Sequence, residues 1–411
     1  LMDPITLVLA VAMFSGVILG LVAILTVARS QLVADGEVTI LINGDPEKAQ
    51  KVAPGQSLLS AMASQKIFIP SACGGGGTCA MCKCRITEGG GDVLPTEVGQ
   101  LSLKERKTQV RLACQVKVKQ DMSIELPEEI FGVQKFVGEV VSNDNVATFI
   151  KELVVRLPDG THMDFESGGY IQIDVPKYKC TFRDFDVDEQ YRPDWDHFKL
   201  WDIEAKNEED DVFRAYSMAN HPAEGNIVML NIRIATPPPR TQGIPPGICS
   251  SYVFNLKPGD NITMSGPYGE FEINHTDREM IYVGGGAGMA PLRSQILHLL
   301  YTEKSTRKIS YWYGARSVRE IFYEEEFRQL EKDFPNFRFI IALSDPQPED
   351  NWEGPVGFIH NIVIDEYLSK HEAPEDCEFY FCGPPLMLKS VIKMCDDFGV
   401  PEENVRFDDF G

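Results

Sequence analysis

With 411 residues, 43% of them hydrophobic, the chain has room for about three domains with proper cores, which excludes an intrinsically disordered protein. Its formal charge of −22, from 39 Lys and Arg against 61 Asp and Glu, argues against electrostatic binding to nucleic acid or to an anionic lipid surface. Ten scattered cysteines in so long a chain do not make a secreted disulfide scaffold and fit a reducing compartment.

Ile5 to Ala28 is an uncharged run of 24 residues, interrupted only by Thr6, Ser15 and Thr26. As a helix it would extend roughly 36 Å, against a hydrocarbon core of about 30 Å. It carries neither the basic start nor the small-residue cleavage site of a secretory signal. The expectation is one N-terminal transmembrane helix within an anchor segment, residues 1–35. Asp3 before it and Arg29 after it place the remainder of the chain in the cytoplasm by the positive-inside rule. Gly16-Val-Ile-Leu-Gly20 has the small-xxx-small spacing that lets a second helix approach closely.

Residues 36–130 have the size of one small domain. Glu37-Val-Thr-Ile-Leu-Ile alternates as a strand, Asn43-Gly-Asp is a turn, Ser57 to Gln65 reads as a helix, and Cys114-Gln-Val-Lys-Val-Lys alternates as another strand. Between them, Cys73, Cys79 and Cys82 stand at C-x5-C-x2-C spacing on a glycine-rich loop, and Cys114 is a distant fourth thiol. Three close thiolates plus one suit a [2Fe–2S] cluster, whose anionic core needs a tight backbone wrap that glycine permits. A structural zinc site or a disulfide pair are the rivals, though zinc sites usually come as two short pairs. The extra thiol, Cys84, reads as a small apolar residue packed beneath the loop. These features resemble the α+β, β-grasp ferredoxins. The first gap is one residue longer than the plant-type spacing and is similar to that of the adrenodoxin-like branch.

Residues 131–276, beginning near Lys135-Phe-Val-Gly-Glu-Val-Val, carry short strands and turn signals that predict an antiparallel β-barrel. Within it, Arg214-Ala215-Tyr216-Ser217, then Asn231-Ile-Arg233, then Gly247-Ile248-Cys249-Ser250, follow the order of flavin-site motifs in the ferredoxin–NADP reductase superfamily, which this part of the chain resembles. The resemblance implies FAD, with its diphosphate on Arg214 and on the turn at Gly247, its ring against Tyr216, and Ser217 near the reactive nitrogen.

One stretch departs from that pattern. Residues 178–211 hold twelve Asp and Glu against five Lys and Arg, with seven aromatic residues among them. A long segment both acidic and aromatic reads as a partner-docking element.

Residues 277–411 open with Met280-Ile-Tyr-Val and the turn Gly284-Gly285-Gly286-Ala287-Gly288-Met289-Ala-Pro291, a strand, glycine turn and helix that would seat a pyrophosphate. Strand patterns recur at Ile309–Tyr313, Phe337–Leu343, Cys377–Phe381 and Asn404–Phe407, which predicts an α/β, doubly wound parallel sheet. Both the glycine turn and Cys382-Gly383-Pro384-Pro385 resemble the nicotinamide-binding turns of the same superfamily, where the cysteine lies beside the nicotinamide. Arg316 follows the second strand, where a 2′-phosphate would sit, while Glu320 and Glu324-Glu-Glu326 would oppose it.

Taken whole, the multidomain set of anchor, ferredoxin, flavin barrel and nucleotide domain resembles the F subunits of the sodium-translocating NADH:quinone oxidoreductases of bacterial membranes. That resemblance implies a hydride from NADH to FAD, then single electrons through the cluster to membrane-embedded redox subunits and finally to quinone. It implies a single-pass protein of the inner membrane, with soluble domains facing the cytoplasm and the complex's other subunits as partners. It also implies catalytic roles for Ser217 and Cys382, and for Phe410 as an aromatic cap over the flavin. A membrane-tethered NAD(P)H reductase feeding an oxygenase is the alternative enzyme. A non-catalytic anchored ferredoxin is the alternative of another class. The seven histidines show no ligand spacing, and no Walker loop or Ser/His/Asp arrangement supports ATPase or hydrolase chemistry.

Overall fold

The computed structural model describes residues 13–22, 36–210, 212–238, 243–269 and 271–410. Residues 13–22 form a helix whose side chains are exposed, Phe14 and Leu19 each by more than two thirds. Among the described residues no helix is long and apolar enough to cross a membrane; the rest of the expected anchor lies outside them. The remaining chain groups into two units, Leu1–Ser71 with Gly75–Phe131, and Ala72–Gly74 with Gly132–Gly411.

The first unit is a five-stranded mixed sheet in the order β2-β1-β5-β3-β4, from β1 Val38–Ile42, β2 Asp45–Val52, β3 Lys83–Glu88, β4 Val110–Leu112 and β5 Met122–Glu125. The β1–β2 hairpin turns at Asn43 and Gly44, both at positive φ, as the Asn-Gly pair dictates. The helix Leu58–Ser64 starts where Ser57 accepts the Ser60 N–H, and it buries Leu58, Leu59, Ala61 and Met62. The expected strand at Cys114 is not one. β4 ends at Leu112, Cys114 sits in a turn, and Val116 and Val118 hydrogen-bond the backbone of Leu58, Gln56 and Gly55 instead. The alternation there reports two buried valines around an exposed lysine, which an irregular extended segment satisfies as well as a ladder does.

In the second unit, six antiparallel strands run in the order β11-β8-β13-β6-β7-β12: β6 Gln134–Ala147, β7 Ile150–Arg156, β8 Tyr170–Val175, β11 Val212–Ser217, β12 Ile227–Arg233 and β13 Asn261–Tyr268. A Met218–Leu230 bridge joins the two ends and closes the barrel. Its core is the inward set of alternating residues, among them Leu153, Val155, Ile171, Ile173, Leu230 and Ile262.

The acidic insertion contributes a small hairpin of β9 Tyr178–Thr181 and β10 Glu204–Asn207, and a short helix, Arg192–His197. Phe182, Phe185, Tyr191 and Trp195 turn inward to build a satellite core with Phe254, leaving Phe198 exposed. The aromatic half of the expected docking element is therefore spent on the segment's own packing, and the face left to solvent is acidic.

Beyond the barrel lies a five-stranded parallel sheet in the order β16-β15-β14-β17-β18, from β14 Met280–Gly285, β15 Ile309–Ala315, β16 Phe337–Leu343, β17 Glu378–Cys382 and β18 Val405–Asp408. Its strands are nearly continuous apolar runs because helices cover both faces, one core against Met289–Leu297 and another against Ile359–Glu366 and Pro385–Asp397. The order reverses at β14, so the crevice at the carboxyl ends of the strands is the switch point where ligands bind.

Candidate redox site

On the first unit's cysteine loop the backbone adopts conformations that only small residues tolerate well. Gly75 and Gly77 have φ of +87° and +77°, and a Cβ at Gly77 would lie 2.7 Å from the Gln115 amide nitrogen. That amide donates to Cys114 Sγ and to the Gly75 carbonyl, both at 3.4 Å, and Ser71 Oγ accepts the Gly75 N–H. A hydrogen bond with Cys114, then burial, push the Cys82 thiol well above its ordinary value, with Cys79 adding to the rise. Thiols gathered in this way, Cys82 with Cys114 and Cys79, suit a cation-bearing core that takes them as thiolates. Cys73 is half-buried and belongs to Ala72–Gly74, the short stretch that groups with the second unit.

Behind the loop, Glu97 and Arg111 form a fully buried, bidentate ion pair at 2.6 to 3.0 Å, and Glu97 also accepts the Leu112 and Leu94 N–H groups. Burial alone would raise the Glu97 carboxyl, but these bonds outweigh it and hold it below its usual range. Arg111 also donates to the Gly90 and Gly91 carbonyls, tying β4 to the turn after β3. Cys84, opposite Arg111 on β3, is buried as expected, and burial pushes its thiol up to about 12.

In the second unit the flavin motif occupies β11. Arg214, Ala215 and Tyr216 are half-buried, and Arg214 donates to the Phe213 carbonyl at 2.7 Å. Burial raises the Tyr216 hydroxyl well above its usual value, and Cys249 is its hydrogen-bond partner. Gly247 caps the helix Ile248–Asn255, and Ser250 Oγ accepts the Ala235 N–H, so this turn presents a helix N-terminus. An arginine, an aromatic face and a helix N-terminus are the groups a flavin diphosphate and ring require. Arg233 is exposed and lines a cavity shared with Gly285, Gly286 and Pro384. Asn231 is turned aside: its amide donates to Tyr323 OH at 2.7 Å.

The glycine turn and the Cys382 turn fit each other. A Cβ on Gly288 would meet the Cys382 carbonyl oxygen at 2.1 Å and the Gly383 nitrogen at 2.6 Å, so no side chain is possible there. Gly285, Gly286 and Pro384 line a cavity of about 790 Å³, with Arg316 and Glu320 at the end of β15, while Gly284, Met289, Pro291 and Cys382 are buried behind it. Ala287 is half-buried, and Phe410 is exposed near the chain end.

Sequence reasoning missed the residue that joins these motifs. Ser217 Oγ donates to Asp408 Oδ2 at 2.6 Å, and Asp408 is the β18 partner of Cys382 on β17. Withdrawal from water pushes the Asp408 carboxyl up to about 6, despite the Ser217 bond, with Asp409 adding to the rise. Burial, Asp408 and Asp409 likewise raise the Cys382 thiol well above its ordinary value, so it is a neutral thiol at pH 7. Arg293 was also missed. It is buried and pairs with Glu224 at 2.9 Å and Glu326 at 2.7 Å, and it donates to the Ala219 carbonyl, pinning barrel to parallel sheet. A lone charge in the apolar run after the glycine turn was the signal available.

At the opposite, amino edge of the sheet, Glu279, His371 and Cys377 gather. The Ala373 N–H donates to His371 Nδ1, which leaves the proton on Nε2, directed at Glu279 Oε2 3.3 Å away. A metal needs that nitrogen bare, so the group is a hydrogen-bond network.

Three family models match in chain order: a 2Fe-2S iron-sulfur cluster binding domain over residues 40–119, an oxidoreductase FAD-binding domain over 198–273 and an oxidoreductase NAD-binding domain over 282–393. Among solved structures, the cytochrome P450 reductase of Amycolatopsis superposes with a TM-score of 0.65 at 21% identity, covering 91% of this chain and 98% of that one. A ferredoxin reductase in carbazole 1,9a-dioxygenase gives 0.60 at 23%, covering 92% and 99%. At these identities they show the shared fold. Among curated relatives, the F subunit of the Na(+)-translocating NADH-quinone reductase of Pseudoalteromonas atlantica is 56% identical over 403 residues, 98% of each chain. That of Psychrobacter cryohalolentis is 56% identical over all 411 residues. The chain belongs to the family of Na(+)-translocating NADH-quinone reductase F subunits.

Proposed function

We propose that the chain is the NADH-oxidising, electron-input component of a membrane sodium-translocating NADH:quinone oxidoreductase. The observation that carries this reading is that Asp408, whose carboxylate accepts from Ser217 of the flavin motif, is the strand partner of Cys382 of the nicotinamide turn. When bound, FAD supplies a two-electron acceptor for hydride that releases electrons singly, and the [2Fe–2S] cluster supplies a one-electron carrier. Arg214 and the Gly247 turn would hold the flavin diphosphate, and Tyr216 would pack on its ring. The Gly284–Gly288 turn seats the pyrophosphate of NADH, with Cys382 and Pro384 shaping the nicotinamide end. Ser217 Oγ holds its proton toward Asp408 Oδ2, a carboxylate that burial pushes up to about 6. Phe410, exposed near the chain end, would cap the flavin ring. Cys73, Cys79, Cys82 and Cys114 would ligate the cluster.

A single helix over residues 5–28 anchors the chain in the bacterial inner membrane with the other domains in the cytoplasm, beside the subunits that receive electrons. Sodium movement belongs to those partners, since a lone anchor without an ionisable residue has no ion path. The chain shortened to residues 36–411 should oxidise NADH with ferricyanide yet fail to restore quinone reduction to membranes lacking the full-length chain. Restoration at the full-length rate would remove the anchor from the account. Co-purification with an oxygenase and no effect on quinone would replace it.

A further inference from the structure

The acidic insertion and the arginines after β15 explain each other. The second strand of a dinucleotide-binding sheet ends where the adenosine ribose lies; an acidic residue there reads a 2′-hydroxyl, and an arginine accepts a 2′-phosphate. This chain places Arg316, Arg319 and Glu320 at that end. Two cations beside one anion would attract a phosphate.

The insertion adds the missing charge. Trp195, fully buried in the insertion's own core, donates its indole N–H to the Thr148 carbonyl at 2.9 Å, which fixes the short helix Arg192–His197 against the β6–β7 turn. The preceding residue, Asp194, is thereby held over the end of β15. Its Oδ2 lies 2.5 Å from Arg319 Nη2, and its Oδ1 lies 3.8 Å from Arg316 Nη2. Glu320 completes the group: it accepts the Thr148 N–H at 3.1 Å and faces Arg319 Nε at 3.7 Å. With Asp194 present, two carboxylates balance two guanidiniums; without it, this end of β15 is left with net positive charge, and Arg319 keeps only its longer contact to Glu320. Asp194 is mostly shielded, with 13% of its side chain exposed, so its charge acts through less water than a surface pair.

We propose that Asp194 is a specificity-determining, positioning residue, through which the insertion occupies Arg319 and offsets the charge of Arg316 at the cavity's edge, and so disfavours 2′-phosphorylated dinucleotides. This rests on the nucleotide-binding reading of the cavity given above. A phosphate monoester carries about −1.5 to −2 charges at pH 7, so at the end of β15 it meets two carboxylates that offset the two guanidiniums, the other cations of the cavity, Arg233, Lys389 and Lys393, belonging to other elements. A 2′-hydroxyl needs no positive charge there.

The test compares full-length wild type with Asp194→Asn, measuring the affinities of ADP and 2′,5′-ADP by calorimetry and the kcat/KM ratio for NADPH over NADH. The expected result is a selective gain, of about tenfold, in both the 2′,5′-ADP to ADP affinity ratio and the kcat/KM ratio. Arg319→Ala in the Asp194→Asn background should cancel it. A merely structural role would weaken both nucleotides together and leave the ratios alone, which would overturn the proposal. Should Asp194→Asn fail to fold, Asp194→Glu supplies the second variant: a longer carboxylate that keeps the pairing must keep the wild-type ratio, and a tenfold gain there would also overturn it. If wild type bound neither ADP nor 2′,5′-ADP, the nucleotide reading itself would fall; if ADP bound and the ratio stayed fixed in Asp194→Asn, only the role of Asp194 would.

Discussion

The two edges of the parallel sheet use the same strands for opposite purposes. At the amino edge a buried charge is answered on all sides. Arg307 donates to Glu378 at 2.5 Å and to the Arg278 and Asn274 carbonyls, and Glu378 also accepts from Thr276 and Tyr380. At the carboxyl edge the chain crowds glycine against peptide at Gly288, withholds water from Asp408 and leaves a cavity of about 790 Å³. The first edge holds the fold together; the second keeps backbone and charge ready for a ligand. The ferredoxin unit repeats the contrast, with the answered pair Glu97–Arg111 beside a cysteine loop whose glycines take positive φ.

The largest expected effect lies at the amino edge. Glu378→Ala would leave Arg307 buried without its counter-charge and should destabilise the protein by about 3–5 kcal/mol in denaturant unfolding. The KM for NADH of the folded fraction should change little. Burial raises this carboxyl but its hydrogen bonds prevail and lower it, so its contribution is present above the ordinary 4.5 and is lost as pH falls below that. A variant with unchanged stability but a raised KM would erase the distinction between the edges.

Gly288→Ala should do the reverse. Its Cβ collides with the Cys382 peptide, displacing both turns, and a displacement of about 1 Å should cost about a hundredfold in kcat/KM for NADH. FAD content, read from visible absorbance, should be retained. Near-normal kinetics would show that the two turns need not touch.

Asp408→Asn probes a smaller effect of the same edge. Asp408 is raised from 3.8 to about 6, so its contribution to stability is present below pH 3.8 and lost as pH rises through about 6. The asparagine variant should therefore gain about 1–2 kcal/mol relative to wild type above pH 6. An inflection near pH 6 in flavin reduction should vanish with it. Survival of the inflection would assign it to another group.

Smallest is the effect of Cys84→Ala, a buried residue outside the ligand set. It should cost about 1 kcal/mol and leave the reduced-cluster EPR signal intact. Cys73→Ala, Cys79→Ala, Cys82→Ala and Cys114→Ala should each abolish that signal. A signal lost in Cys84→Ala alone would redraw the ligand set.

What was legible in the sequence shares one property: the backbone enforces it locally. The Asn43-Gly44 turn, the Ser57 cap, the cysteine loop, the Gly284–Gly288 turn and the apolar strands of the parallel sheet each announce themselves within about ten residues. Ser217 and Asp408 are 191 residues apart, and only the pairing of β17 with β18 brings the carboxylate to the serine. Asp194 and Arg319 are equally distant in kind, joined by a Trp195 anchor that composition alone made look like an interface. The strand misread at Cys114 shows the other limit. Alternating burial reveals which side chains face the core, not whether their backbone joins a ladder.

The central claim is a directed relay, with hydride entering at the Ser217–Asp408–Cys382 junction and electrons leaving one at a time through the cysteine loop. Rapid mixing of the anaerobic holoprotein with NADH, following flavin absorbance and freeze-quenched cluster EPR together, tests it most directly. The account predicts flavin bleaching before the cluster signal appears, bleaching that survives in Cys114→Ala, and no cluster signal in a flavin-free Arg214→Leu protein. A cluster reduced by NADH without flavin would contradict it.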